Sequence, residues 1–346
     1  MRAAQFSVAL QTDLALAAYG PLAAMIEGYG FDGVTVYNDL LYQPAWLPLL
    51  EIARHTRRVA IGPAAVNPFT CHPINIAGNI ALIDEASQGR AYLGLARGAW
   101  LDYLGIAPAR PVTALREALI CVRRLLMRST EPFSGEVFQL VGGDSLRWTI
   151  LRPDLPFLLG SWGERAIRAC YDQIAEIKLG GSANPTVVQT LRRQLAALAH
   201  EPGTTATACN AAARYTGPVR LAIGAVCVVD EDGAAARALA RREAALYLPV
   251  IAAFDPTLPV DPVQLQRIQT AAAAYDFVSA ARDISDELLQ LVAFAGTPEH
   301  VVQQAADLIA AGADRVEFGT PHGLSKHQGL KLLGERVLPQ LRQLCA

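Results

Sequence analysis

Short apolar runs of strand character alternate along this chain with longer runs of helical period. That alternation restricts the fold more than any other feature. Strand-like runs occupy Gln5–Leu10, Gly33–Tyr37, Val59–Ala65, Ala91–Leu95, Phe157–Leu159, Glu176–Leu179, Arg220–Val229 and Arg315–Phe318. Helical stripes follow nearly every one. Ile76, Ile80 and Ile83 fall at i, i+4 and i+7, and Leu115, Leu119, Val122 and Leu126 share one face in the same way. Asp232–Leu246 and Pro298–Ala311 open on Asp and Thr-Pro, good helix starts. Strands that alternate with helices pair in parallel, and eight such units close a (β/α)8 TIM barrel, an α/β fold. The surplus length is assigned to insertions near 97–111, 131–156 and 247–294. Within 131–156, F-S-G-E-V-F and V-G-G-D read as a hairpin, and the last insertion is Ala-rich and reads as helical. No linker divides the chain, so 1–346 is read as a single domain. An open doubly wound sheet is the rival, but Val8–Asp13 lacks the glycine fingerprint expected after its first strand.

Composition narrows the classes. Hydrophobic residues make up 52% and charged residues 18%, which excludes a disordered chain. Lys plus Arg number 30 against 32 Asp plus Glu, so the net charge of −2 argues against a nucleic-acid partner. Among those 30 bases only Lys178, Lys326 and Lys331 are lysines. No run reaches the roughly 18–20 apolar residues of a membrane span, and the first residues lack a signal-peptide core. Cys71, Cys121, Cys170, Cys209, Cys227 and Cys345 form no C-x-x-C pair or Cys/His cluster. Reduced thiols, a cytoplasmic location and no metal site are the expectation.

Barrel enzymes place their chemistry just beyond the carboxyl ends of the strands. Here those positions hold Gln11, Asn38, Asp39, Asn67, Arg97, Gly98, Ser161, Trp162, Gly180 to Ser182, Asp230 and Glu317 to His322. They contain no Ser-His-Asp set, no paired carboxylates and no His-x-His, so hydrolytic and metal mechanisms have little support. Small residues and backbone-rich turns suit a bound cofactor that carries the chemistry. Two turns could cradle an anion through converging amides: Gly160-Ser161-Trp162-Gly163 and Gly180-Gly181-Ser182. Ordinary short βα loops use the same residues without any ligand. The third strand ends in Gly62-Pro63-Ala64-Ala65-Val66-Asn67-Pro68, where proline marks either a bulge pushed into the mouth or a distorted end without a role.

The stretch from Gly62 to Pro73 closely resembles the bacterial luciferase-like superfamily. It is most similar to the branch of coenzyme F420-dependent 5,10-methylenetetrahydromethanopterin reductases. Leu82–Arg90 resembles the segment written "LDELSGGR" in that family, and Leu93–Gly98 its next strand. Leu104-Gly105-Ile106, Arg116-Glu117-Ala118, Gly160–Gly163 and Val316–Gly319 continue the likeness, which spans Phe31 to Leu338. The resemblance implies a barrel of the luciferase-like type with a flavin or deazaflavin in its mouth. It implies a non-prolyl cis peptide at Ala64–Ala65 backing the ring, with Val66 and Asn67 alongside. Both glycine turns would match the cofactor-phosphate cradle. Arg97 and Gly98 follow the fourth strand, where Arg97 either meets a phosphate or braces the next loop. Asp39 matches a carboxylate on the ring's polar edge; its other reading is a helix cap.

Asp39 and Glu317 are the candidate catalytic residues. Glu317 and His322 could act as a pair, or else form a salt-bridged strand end and an exposed loop histidine. The sequence departs from the family at Leu40, where members that oxidise alcohols carry a proton-accepting His. It departs again in the first strand, Phe6–Gln11, which lacks the acid common in the pterin reductases. Reducing a carbonyl takes a proton as well as a hydride, whereas an iminium carbon takes the hydride alone. The expected activity is therefore F420-dependent hydride transfer to or from a small molecule with a C–N centre, a methylene-pterin or imine. The alternatives are an FMN-dependent luciferase-like monooxygenase and a non-catalytic flavin- or pterin-binding protein. A small-molecule substrate and a homodimer or homotetramer are expected, without nucleic acid or membrane as partners.

Overall fold

A computed structural model describes residues 3–200, 215 and 217–345. Its strands are β1 (Gln5–Leu10), β2 (Gly33–Val36), β3 (Ala60–Pro63), β4 (Leu93–Ala96), β5 (Phe133–Ser134), β6 (Gln139–Leu140), β7 (Phe157–Gly160), β8 (Glu176–Gly180), β9 (Arg220–Val229), β10 (Ala293–Gly296) and β11 (Arg315–His322). Parallel pairing runs β3-β2-β1-β11-β9-β8-β7-β4, and bridges at Ile61–Ala91 and Val66–Leu95 join its two ends. This is the closed (β/α)8 barrel expected from the alternation, and all eight strand-like runs lie in its wall. β5 and β6 form the antiparallel hairpin read from F-S-G-E-V-F.

One element departs from the expectation. The segment after Tyr247 forms helices Leu248–Ala252, Pro262–Ala273, Phe277–Arg282 and Asp286–Val292, but it ends in strand β10 rather than helix. The cause lies in β9, which runs ten residues. Its lower half is covered by β8, whose last pair is Gly180 with Gly224. The edge of Val226–Val229 would then be bare, and Ala293–Gly296 pairs with it. β11 covers the other edge and runs four residues past Phe318, through a register shift and a cis Thr320–Pro321 bond.

Outward strand residues such as Phe6, Val8, Val34, Ile61, Leu93, Leu95 and Ile177 meet the helix layer in one apolar core. Fully burying each such side chain is worth about 1.5–3 kcal/mol. Helix starts follow their sequence signals: the Asp232 carboxylate accepts from the amides of Ala234 and Ala235 at 3.1 and 3.0 Å. Among the described residues, no helix is long and apolar enough to cross a membrane, and Cys71, Cys121, Cys170, Cys227 and Cys345 are free thiols.

Candidate active site

Side chains in a strand alternate between faces, and neighbours in register share a face. The inward set of this barrel is charged at mid-height instead of being filled with branched aliphatic residues. Glu317 on β11 sits fully buried there. Its carboxylate accepts hydrogen bonds from Thr35 Oγ1 and Lys178 Nζ, from Arg315 Nη1 at 2.9 Å and from Ser7 Oγ at 3.3 Å. Arg315 also donates to both oxygens of Glu176, at 3.1 and 2.6 Å. The Tyr92 hydroxyl lies 2.7 Å from Thr35 Oγ1. Burial pushes the Glu317 carboxyl up, but the Lys178 and Arg315 charges outweigh it and hold the group at about 2. Glu317 is thus a fixed anion at neutral pH and not a proton carrier. It lies inside the wall and not at the rim, because β11 continues well past it.

One step further along the strands the inward residues become small. Ser7 is followed by Ala9, Lys178 by Gly180 and Glu317 by Gly319, while Ala96 and Gly160 pair in register beside Lys178. Gly180 is exposed, and a Cβ added there would meet nothing within 4 Å. A Cβ on Gly160 would come 3.8 Å from that of Ala65, so β7 ends beside the third-strand segment. The Ala64–Ala65 bond is cis. Small residues of β4, β7 and β8 and this segment therefore form a shallow floor open to solvent, with the charged layer beneath.

Rim residues surround that floor. Asp39 Oδ2 accepts from Gln11 Nε2 at 2.8 Å, and Gln11 Oε1 accepts from the Thr12 amide, also at 2.8 Å. Asn38, and not Asp39, ties down the approach to helix Trp46–His55 by accepting from the Ala45 amide. Asp39 is thereby left free of a capping role. Burial raises the Tyr37 phenol well above its usual range, and the charges of Glu317 and Asp39 add to this. Tyr247, from the late insertion, is raised by burial and then by Asp39. Both phenols stay protonated at neutral pH. Lys178 Nζ lies 5.2 Å from the Tyr37 ring centroid.

Asn67 accepts from the amides of Phe69 and Thr70 at 3.0 and 2.9 Å and so holds the bulge in place. The side chain of Val66 points into the core, while its backbone bridges to β4. Gly98 has φ 86°, and a Cβ there would press on Asn67. Arg97 is exposed and forms no ion pair among the described residues.

The two glycine turns differ. In Gly160–Gly163 the Ser161 hydroxyl accepts from the Gly163 amide at 3.1 Å, and the Trp162 indole donates to Gly180 O at 3.1 Å. No protein acceptor among the described residues takes the Trp162 amide. In the second turn, Gly181 and Ser182 both donate to Gly224 O, at 2.6 and 3.3 Å, and Ala183 donates to Leu291 O at 2.8 Å. The Ser182 hydroxyl accepts from the Asn184 amide at 3.2 Å. Gly181 has φ 84°, and a Cβ there would lie 2.6 Å from Ile251 of the insertion. The amides of this second turn are occupied by the protein itself.

His322 also departs from expectation: it is buried, with φ 80° and Nε2 bonded to Ala9 O at 2.9 Å. Burial pushes it down to about 4, so it is neutral at physiological pH. Lys178, Tyr37, Tyr92 and Tyr247 were not singled out from the sequence as site residues. Among the described residues no group of three or more His, Cys, Asp and Glu side chains is arranged to hold a metal ion.

The sequence profile of luciferase-like monooxygenases matches residues 3–315. The chain belongs to that family. This luciferase-like protein is 25% identical over 328 residues to the 5,10-methylenetetrahydromethanopterin reductase of Archaeoglobus fulgidus, covering 92% of this chain and 94% of that one. Its fold matches the coenzyme F420 dependent tetrahydromethanopterin reductase from Methanopyrus kandleri with a TM-score of 0.82 at 22% identity, covering 98% and 100% of the two chains. An F420-dependent secondary alcohol dehydrogenase in complex with an F420–acetone adduct matches with a TM-score of 0.77 at 17% identity, covering 98% and 99%. The luciferase-like chain is an oxidoreductase on a barrel of this type.

Proposed function

We propose that this protein is a coenzyme F420-dependent oxidoreductase whose small-molecule partner reacts at a carbon bonded to nitrogen. The observation that carries the reading is the mouth itself. Its floor is built of Gly and Ala, backed by Ala64–Ala65 and flanked by a single Gln11-bonded carboxylate, Asp39. A planar tricyclic group would rest on that floor, and larger side chains at Gly160 or Gly180 would stand in its place. The full-length likeness to a methylenetetrahydromethanopterin reductase, and in fold to F420-dependent enzymes, supports the choice of deazaflavin. When bound, the deazaflavin supplies or accepts the hydride.

The chain's own residues bind, orient and set charge. Asp39, held by Gln11, would contact the polar edge of the ring, and Ala64, Ala65 and the Val66 backbone would back it. Asn67 keeps that segment in place and, with Gly98, shapes its margin. The Trp162 amide, without a partner among the described residues, and the Gly160–Gly163 turn would take a phosphate, with the exposed Arg97 as a further cation. Gly180 keeps the floor open, while Gly181 and Ser182 shape it by fastening β8 to β9. Glu317 acts from beneath as a fixed anion balanced by Lys178 and Arg315. Leu40 carries no proton and Glu317 stays ionised, so these two positions favour an iminium carbon over a carbonyl. A soluble cytoplasmic homodimer or homotetramer without nucleic-acid or membrane partners completes the reading.

Absorbance titrations with F420 and with FMN test the cofactor. Each reduced complex is then mixed with a cyclic imine without oxygen, and separately with oxygen. Anaerobic oxidation of the deazaflavin by the imine is expected. Oxygen consumption with FMN would replace this reading by the monooxygenase one, and binding without turnover by a carrier.

A further inference from the structure

We propose that the amino-terminal mouth of the barrel, at the end opposite the candidate active site, is a second binding site, for a small dianion. A cavity of about 550 Å³ opens there among the strand starts. That is within the range of small-molecule sites, about 300–1,000 Å³. It exists because the first inward residues of β2 and β3 are Gly33 and Ala60, which leave one side of the bottom layer unfilled. Arg220 and Arg315 stand on the other side.

The wall carries an excess of positive charge. Arg58, Arg90, Arg152, Arg220 and Arg315 line the cavity, against the carboxylates of Asp32 and Glu176. Both carboxylates are taken: Glu176 by Arg315, and Asp32 by Arg342 at 2.7 Å. Arg152 is held by the buried Asp84. Arg58, Arg90 and Arg220 have no carboxylate within ion-pair distance among the described residues. Behind Arg58 and Arg90 stands the carboxylate of Glu27, already accepting from the amides of Arg57, Arg58 and Val59. Among the described residues two positive charges around this cavity remain uncompensated.

The donors are of two kinds. Arg90 gives its N–H groups to the carbonyls of Ser87, Val59, Ala53 and Thr56, so it contributes a fixed charge only. Among the described residues the Arg220 guanidinium makes one hydrogen bond, from Nη2 to Gln5 Oε1, and leaves Nε and Nη1 for a ligand. The Arg58 guanidinium likewise donates, among the described residues, only through Nη2, to Glu27 O. Two partly free guanidinium groups and an immobile one lining the same cavity match a doubly charged oxyanion, to which a guanidinium presents paired N–H donors. A cavity this size admits a phosphate ester or a dicarboxylate of several carbons.

Calorimetric titration at about pH 8 with inorganic phosphate, there a dianion, and separately with succinate tests the proposal and distinguishes the two sources. The whole protein is compared with Arg220→Met, Arg58→Glu and Ser161→Ala. One of the two probes is expected to bind with 1:1 stoichiometry. Arg220→Met and Arg58→Glu should each weaken it by at least about tenfold, with unchanged circular dichroism, while Ser161→Ala leaves it intact. Should Arg220→Met fail to fold, the exposed Arg58→Glu variant decides alone. Absence of binding by both probes overturns the proposal. So does binding that Ser161→Ala abolishes and the arginine variants retain, which would put the anion at the opposite mouth.

Discussion

Replacing Lys178 by Met probes the charged layer most sharply. In the folded protein Glu317 is held at about 2 by Lys178 and Arg315. Against an ordinary glutamate value of about 4.3, that difference corresponds to about 3 kcal/mol of stability. The sign follows from the lowered value: the contribution is complete above about pH 4.3 and is lost as the pH falls towards 2. Without Lys178 only Arg315 remains, and it is shared with Glu176. Burial then dominates, and the carboxyl rises above its unfolded value. Breaking one partner from a buried pair costs about 3–5 kcal/mol, a large part of a typical total of about 5–15 kcal/mol. Lys178→Met should lose that much at pH 7, and lose less as the pH is lowered and Glu317 protonates. Lys178→Met with Glu317→Leu should recover most of the loss, because no unpaired charge remains. Urea unfolding of the wild type, both single variants and the double variant at pH 7 and pH 5 reads these terms. A single-variant cost below about 1 kcal/mol at pH 7, or losses that merely add in the double variant, would refute the reasoning.

Other outcomes follow from the same geometry. Gly180→Val places a side chain in open space and should weaken cofactor binding at least about tenfold, with little change in thermal midpoint; binding by absorbance and melting by calorimetry check it. Gly181→Ala, at φ 84° against Ile251, should instead destabilise the fold by about 1–2 kcal/mol, as read by urea unfolding, and leave the cofactor dissociation constant near that of the wild type. His322 is held down at about 4, below its ordinary value of about 6.5, so the native state gains from its neutral form above pH 6.5 and loses that gain as pH falls towards 4. His322→Asn, which tolerates the positive φ, should flatten the stability profile across that interval.

The barrel was legible because its eight strands carry apolar outward faces between helical stripes. The hairpin was legible through its turn residues. β10 was hidden because Ala-Phe-Ala-Gly, within an Ala-rich run, lacks the β-branched residues that mark strands; it forms because β9 outruns β8. The same kind of tertiary control lengthened β11. The strand-like run ends at Phe318 in the sequence, yet β11 carries on through Gly319-Thr320-Pro321 to His322 and so draws both Glu317 and His322 inside. The two glycine turns look alike in sequence. Only the fold shows that Gly224 O takes the Gly181 and Ser182 amides, whereas no acceptor among the described residues takes the Trp162 amide. Lys178 carries a signal of its own in the sequence. In a chain with 30 basic residues it is the only lysine before residue 326, and it falls inside a strand.

The structure of the protein in complex with F420 tests the central claim most directly. The account predicts the deazaflavin ring against Ala64–Ala65, its polar edge at Asp39 and its phosphate at the Gly160–Gly163 turn. A complex in which that floor is covered by protein side chains and the coenzyme binds elsewhere would contradict it.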